Sequence, residues 1–129
     1  MLGEYHRQDI LENLYKRCLS VCENVYPDRP SSSRPPMDKF VVIRIPSGVK
    51  PYADTHDICT IQFVCYARDF QDGVENIPLV DSLVSGLLSM FPFEDELLSC
   101  KSRPLVLGSK SDGMGFHSVI IQFQTLVKI

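Results

Sequence analysis

Three histidines, five cysteines and two short carboxylate runs are the groups through which this 129-residue chain could do acid–base, nucleophilic or metal chemistry. His6, His56 and His117 stand apart from one another, and none falls in an HExxH pattern or beside a nucleophile motif. The cysteines, Cys18, Cys22, Cys59, Cys65 and Cys100, are odd in number and contain no CxxC pair. That spacing suggests neither a disulfide framework nor a zinc ribbon. Cys18 and Cys22 fall on the apolar stripe of a helical segment, and Cys59 and Cys65 on one face of an alternating strand, so all four read as small buried hydrophobes. Cys100, beside a polar stretch, reads as the most reactive of the five. His56-Asp57-Ile58-Cys59 is the one local metal-like grouping, within a stretch (Asp54 to Asp57) that reads as a polar hairpin tip. Glu94-Asp95-Glu96 reads as a solvated loop or a helix start, not an acid–base pair. Gly108-Ser109-Lys110-Ser111 lacks the glycine immediately before lysine, and joins two strands where a phosphate loop joins a strand to a helix. No catalytic residue, cofactor or metal ligand is expected.

Composition narrows the class without naming an activity. Thirteen Lys+Arg against sixteen Asp+Glu give a formal net charge of −3, with 44% hydrophobic and 22% charged residues. The length predicts one domain over residues 1–129 with a core large enough to need no staple. Apolar runs of a few residues are too short to span a bilayer. The polar start, Met1 to Asp9, has no apolar core of a secretory signal. The mild acidity, with no Lys/Arg block, argues against a specific nucleic-acid binder.

The positioning elements follow from periodicity. Leu11, Leu14, Tyr15, Cys18, Cys22 and Val25 have helical spacing, with Pro27 as the stop; Asp9 and Glu12, three apart, form a capping box unless the helix begins earlier. Residues 27–39, rich in Pro and Ser, read as a surface linker. Phe40 to Ile45 reads as a strand, followed by a polar loop through Lys50, Tyr52 and His56. A long strand runs from about Ile58 to Arg68, with Cys59, Ile61, Phe63, Cys65 and Ala67 on one face. Asn76 caps a second helix with Pro78 in its first turn and Val80, Leu83, Val84, Leu87, Leu88 and Phe91 inward. Gly86 inside that helix points to a close neighbour. After a polar stretch from Glu94 to Ser102 come a short strand at Pro104 to Gly108, a turn at Ser111 to Gly115 and a last strand from His117 to Lys128. The order α-β-β-α-β-β predicts an α+β fold, its antiparallel or mixed sheet covered on one face by both helices.

The other face of the two long strands is unusual. Thr60, Gln62, Val64, Tyr66 and Arg68 on one, and Phe116, Ser118, Ile120, Gln122, Gln124 and Leu126 on the other, include one ionic group. A mixed apolar and amide surface of that kind fits a protein interface better than a solvated face. Val64, Tyr66, Arg68, Ile120, Gln122 and Gln124 are its candidate contact residues, joined by Lys50, Tyr52, Lys110 and Met114 on the hairpin loops.

Together these features resemble the tail-terminator, or tail-completion, proteins of long-tailed bacteriophages and prophages. The resemblance spans nearly the whole chain. It rests on the amphipathic segment Leu11 to Val25, the Pro-rich crossing into Phe40-Val41-Val42-Ile43-Arg44-Ile45, the strand Ile61 to Arg68, the segment Val80 to Leu88, and the final Gly115 to Val127. It implies a virion neck protein, assembled in the bacterial cytoplasm, that forms a ring, typically of six copies. Such a ring caps the tail tube, stops its polymerisation and joins the head, with tube and head-completion proteins as partners. No catalytic residue is carried over. A small ligand-binding or enzyme module around His56 and Cys59, or a host adaptor domain, is the alternative.

Overall fold

The structure is a computed structural model that describes residues 7–27 and 37–128. Helix α1 (Arg7–Leu19) buries Ile10, Leu14 and Cys18 along one stripe. Asp9 lies in its first turn, so Asp9 and Glu12 belong to the helix interior and not to a capping box at its start. The helix also stops well before Pro27. The Ser20 hydroxyl donates to the Arg17 carbonyl (2.7 Å), and the Cys22 amide closes the final turn on the Cys18 carbonyl. Strand β1 (Val25–Pro27) then pairs in parallel with β2 (Lys39–Arg44). Two non-helical preferences meet there: β-branched and aromatic residues at 25 and 26, and a proline at the strand's end. Asn24 fixes the junction, accepting the Val41 amide on its backbone and donating its side-chain amide to the Lys39 carbonyl. Most of the expected linker lies outside the described residues; its ends, Pro27 and Lys39, are strand residues.

The sheet is built on two long antiparallel strands, β4 (His56–Arg68) and β8 (Phe116–Lys128), in register from His56 with Lys128 to Arg68 with Phe116. The stretch expected as a polar loop forms β3 (Lys50–Ala53), which folds back on the start of β4. Between the long strands come α2 (Ile77–Leu88), β5 (Phe93–Glu94), β6 (Leu98–Cys100) and β7 (Leu105–Ser111). The order across the sheet is β1-β2-β4-β8-β6-β5, with β3 added to β4 and β7 to β8. Apart from the β1–β2 pair, every pairing is antiparallel. The fold is α+β, with eight strands where periodicity marks four. The additional ones are short or lie on edges, too brief to show a period of two.

Both helices pack on one face, against Cys59, Ile61, Phe63, Cys65 and Ala67 of β4 and Val119, Ile121, Phe123 and Val127 of β8. Helix α2 starts as the sequence predicts: the Asn76 side chain accepts the Leu79 amide (3.2 Å), with Pro78 in the first turn. Gly86 does meet a neighbour, since a Cβ there would lie 2.6 Å from Cγ1 of Val21. Gly86→Ala gains up to about 1 kcal/mol of helix propensity, but forces the stiff Val21 to move at about 1–3 kcal/mol. A net loss of about 1 kcal/mol is expected. Urea unfolding of Gly86→Ala with and without Val21→Ala checks it, because the gain alone should remain once Val21 is trimmed.

Candidate protein interface

Strand alternation assigns the second face, and the registers align it across the sheet. One row runs Tyr26, Val42, Val64, Ile120 and Leu107, crossing five strands without a charge. The next runs Arg44, Gln62, Gln122 and Leu105. Gln62 donates its side-chain amide to Oε1 of Gln122 at 2.9 Å, joining the two long strands on this face. Further rows pair Thr60 with Gln124 and Ile58 with Leu126. Beyond them lies a groove of about 550 Å³ that is lined by Tyr52, His56, Ile58, Gln124 and Leu126 but also by the charged Glu94 and Lys101.

The face has two halves. Toward β1 and β2 it is not open but forms a second core of Phe40, Val42, Val64 and Phe116. Phe40 stacks on Tyr66 (centroids 4.5 Å apart, planes at 9°) and meets Phe116 and Tyr26 edge-on. The Arg68 guanidinium lies 4.7 Å above the Phe116 ring and donates to the Met37 carbonyl. Val64 is only 4% exposed. As a candidate contact residue it is therefore corrected to a core residue, and Tyr66 and Arg68 are partly engaged in covering that core. Toward β7 the face stays open: Ile120, Gln122 and Gln124 keep accessible surface, and Leu105 and Leu107 of β7 extend it outward. Leu105 and Leu107 escape sequence reading. Leu-Val-Leu between Pro104 and Gly108 marks a strand, but nothing local says that both its faces stay bare.

The four loop candidates do not form one site. Lys50 and Tyr52 lie on β3, against the His56 end of β4. Lys110 pairs with Ser118, and Met114 occupies the exposed turn before Phe116, at the other end. Twelve residue steps separate the two ends, about 40 Å at about 3.3 Å per residue.

The expected chemistry is also re-sorted. His56 and Cys59, three apart on β4, point to opposite faces, and Cys59 is buried under the helices, so the region does not converge on a ligand. Cys100 is no reactive thiol: all five cysteines are buried. Burial pushes Cys18 up to about 12, with a contribution from Cys22, and Cys59 up to about 11; it also raises Cys22, Cys65 and Cys100. Thiols so far from ionisation are poor nucleophiles. His117 is paired, its Nδ1 lying 2.6 Å from Oδ1 of Asp69 where β4 leaves the sheet. Among the described residues no group of three or more His, Cys, Asp or Glu is placed to hold a metal, and no helix is long and apolar enough to cross a membrane.

Asp95, expected as a solvated acid, ties the hairpin of β5 and β6 to α1. Its Oδ1 accepts the amides of Leu97 (2.7 Å) and Leu98 (2.8 Å), while its Oδ2 accepts from Asn13 (2.8 Å) and the Arg17 guanidinium. Burial opposes its charge, but hydrogen bonds from Asn13, the Leu98 and Leu97 amides and Arg17 outweigh it. Together they hold the carboxyl well below the usual carboxylate range.

No protein-family model matches the chain, and no curated protein does. A solved protein structure 12% identical in sequence aligns over 95% of this chain and 93% of its own, with a TM-score of 0.62. At that identity the likeness is one of fold.

Proposed function

We propose that the chain is a structural subunit of a bacteriophage or prophage tail, assembling into a closed ring that caps the tail tube and offers a surface for head joining. The observation that carries the reading is the open half of the second sheet face. Ile120, Gln122, Gln62, Leu105 and Leu107 form one apolar and amide surface, with Arg44 at its far edge as the ionic group of those rows. A monomer gains nothing from leaving such a patch to water, whereas a partner surface buries it. The candidate residues at opposite ends of the long strands suit the same end, because a ring closes through two different patches on each copy. The resemblance of the element pattern to tail terminators supplies the biological setting, and six copies at −3 each would make an acidic ring with little grip on DNA.

The test uses negative-stain microscopy and solution mass, with and without purified tail tubes. Rings, or tubes capped and held at fixed length, are expected from the wild type. Gln122→Glu and Gln124→Glu place charge on the open half, outside the second core against which Ile120 packs. They are expected to keep the wild-type circular dichroism and to lose assembly. A wild-type chain that neither forms rings nor caps tubes overturns the proposal.

A further inference from the structure

The two ends of α2 carry surfaces of opposite charge, and both surfaces are partly apolar. At its start, the loop from β4 into the helix (residues 69–77) has three acids and no base. Phe70, Val74 and Ile77 are 51%, 55% and 55% exposed there. The loop is pinned from within. The Phe70 amide donates to the Val74 carbonyl (2.9 Å), the Gly73 amide to the Phe70 carbonyl (2.9 Å), and the Val74 amide to Oδ1 of Asp72 (3.1 Å). Gly73 holds a positive φ of 83°, which glycine adopts without strain. Phe70 and Val74 are thus kept bare beside Asp72 and Glu75 by a loop with little left to order on binding. Glu75 accepts the Ser109 hydroxyl (2.8 Å), and neither acid has an ion pair among the described residues.

At the other end, 12 residues on and about 18 Å away at about 1.5 Å per residue, lies a groove of about 330 Å³. Leu88, Phe91, Pro92 and Val106 line it together with Lys101 and Arg103, and no acid does. Arg103 has no ion pair among the described residues. Lys101 lies 3.5 Å from Glu94, which Lys128 holds more closely at 3.0 Å.

We infer that the loop of one copy docks in the groove of another. Phe70 and Val74 meet Leu88, Phe91 and Val106, while Asp72 and Glu75 face Lys101 and Arg103. Charge complementarity selects this occupant. The groove takes a surface that is both apolar and acidic, and the chain presents one already shaped. Burial of the apolar groups drives the contact, and the opposite charges orient it. The pinned loop lies a helix length from the groove of its own chain, so the two meet only between copies. Acids before a helix and cations after it also suit the macrodipole of α2. That effect acts within one chain and gives nothing to pair between chains. The docking contact does not use the open half of the second sheet face, and it stands apart from the tail reading.

Sedimentation across a concentration series should show the wild type associating. Asp72→Lys and Arg103→Glu lie on exposed residues and should keep the wild-type circular dichroism. Each alone should weaken association at least about tenfold, because like charges then face each other. An equal mixture of the two variants should associate as the wild type does, since the reversed loop of one suits the reversed groove of the other. A macrodipole effect would not be restored by mixing. Phe70→Ser removes an exposed ring at unchanged charge and should also weaken association. A wild type monomeric at the highest concentration, association indifferent to these variants, or a mixture no better than its components overturns the inference. Tubes capped equally well by both charge variants overturn the docking contact alone. Groove-dependent association that builds no ring and caps no tube overturns the tail reading alone.

Discussion

Phe40→Ala is expected to lower the unfolding free energy by about 3–5 kcal/mol, as much as Phe63→Ala on the helix-covered face. Phe63 is the conventional case: it is fully buried and packs edge-on to Phe123 within the larger core. Phe40 belongs to the opposite face, which alternation alone marks as open, yet it too is fully buried. Truncating it removes the stack on Tyr66 and the edge contacts to Tyr26 and Phe116 at once, leaving a cavity at the meeting point of β1, β2, β4 and β8. Urea denaturation of the two variants measures the comparison. A Phe40→Ala cost below about 1 kcal/mol would mean that this half of the face behaves as free surface, and the interface would then extend across it. A cost near that of Phe63→Ala confines the proposed interface to the β7 side.

Asp95→Ala is the second large effect, expected at about 1–3 kcal/mol because four donors lose their acceptor while water replaces part of what is lost. The carboxylate is partly exposed, so the amides of Leu97 and Leu98 and the pair with Arg17 set the loss, not burial of the charge. Asp95→Asn should cost less, since one side-chain oxygen remains for the two amides. The pH dependence has a definite sign. The folded-state value lies below that of the unfolded chain, about 3.9. The contribution is therefore complete above about pH 4 and is lost as the pH falls through the lower folded value. Unfolding free energies at pH 7 and pH 3 should show a smaller drop on acidification in Asp95→Asn than in the wild type. Equal drops in both would assign the acid sensitivity to other carboxylates. Glu94, whose pKa is lowered by Lys128 and Lys101, is one of these.

These two residues also mark where sequence reading works and where it stops. The face of β4 holding Cys59, Ile61, Phe63, Cys65 and Ala67 was readable from alternation, and that of β8 likewise, because a period of two is a local property of extended chain. The start of α2 was readable because Asn76 and Pro78 act on their own first turn, and Gly86 announced the close approach that Val21 makes. The α+β class followed from those elements. The end of α1 was not readable: the apolar spacing continues through Cys22 and Val25, and both are buried, Cys22 in the turn that follows the helix and Val25 on strand β1. The candidate interface residues were legible as a face, in Ile120, Gln122 and Gln124, but not as an open area.

The residues by themselves thus determined which side chains share a face and where one helix begins. Only the tertiary structure decided which parts of those faces meet water. It buried Cys100 and Val64, paired Asp95 with Arg17 and His117 with Asp69, and left Leu105, Val106 and Leu107 bare on the sheet edge. The reason is physical: periodicity is set by the backbone within a few residues, whereas burial depends on which distant strand becomes the neighbour. Asp95 lies 78 residues from Arg17, and β7 is exposed because no further strand of the described chain pairs with its outer edge.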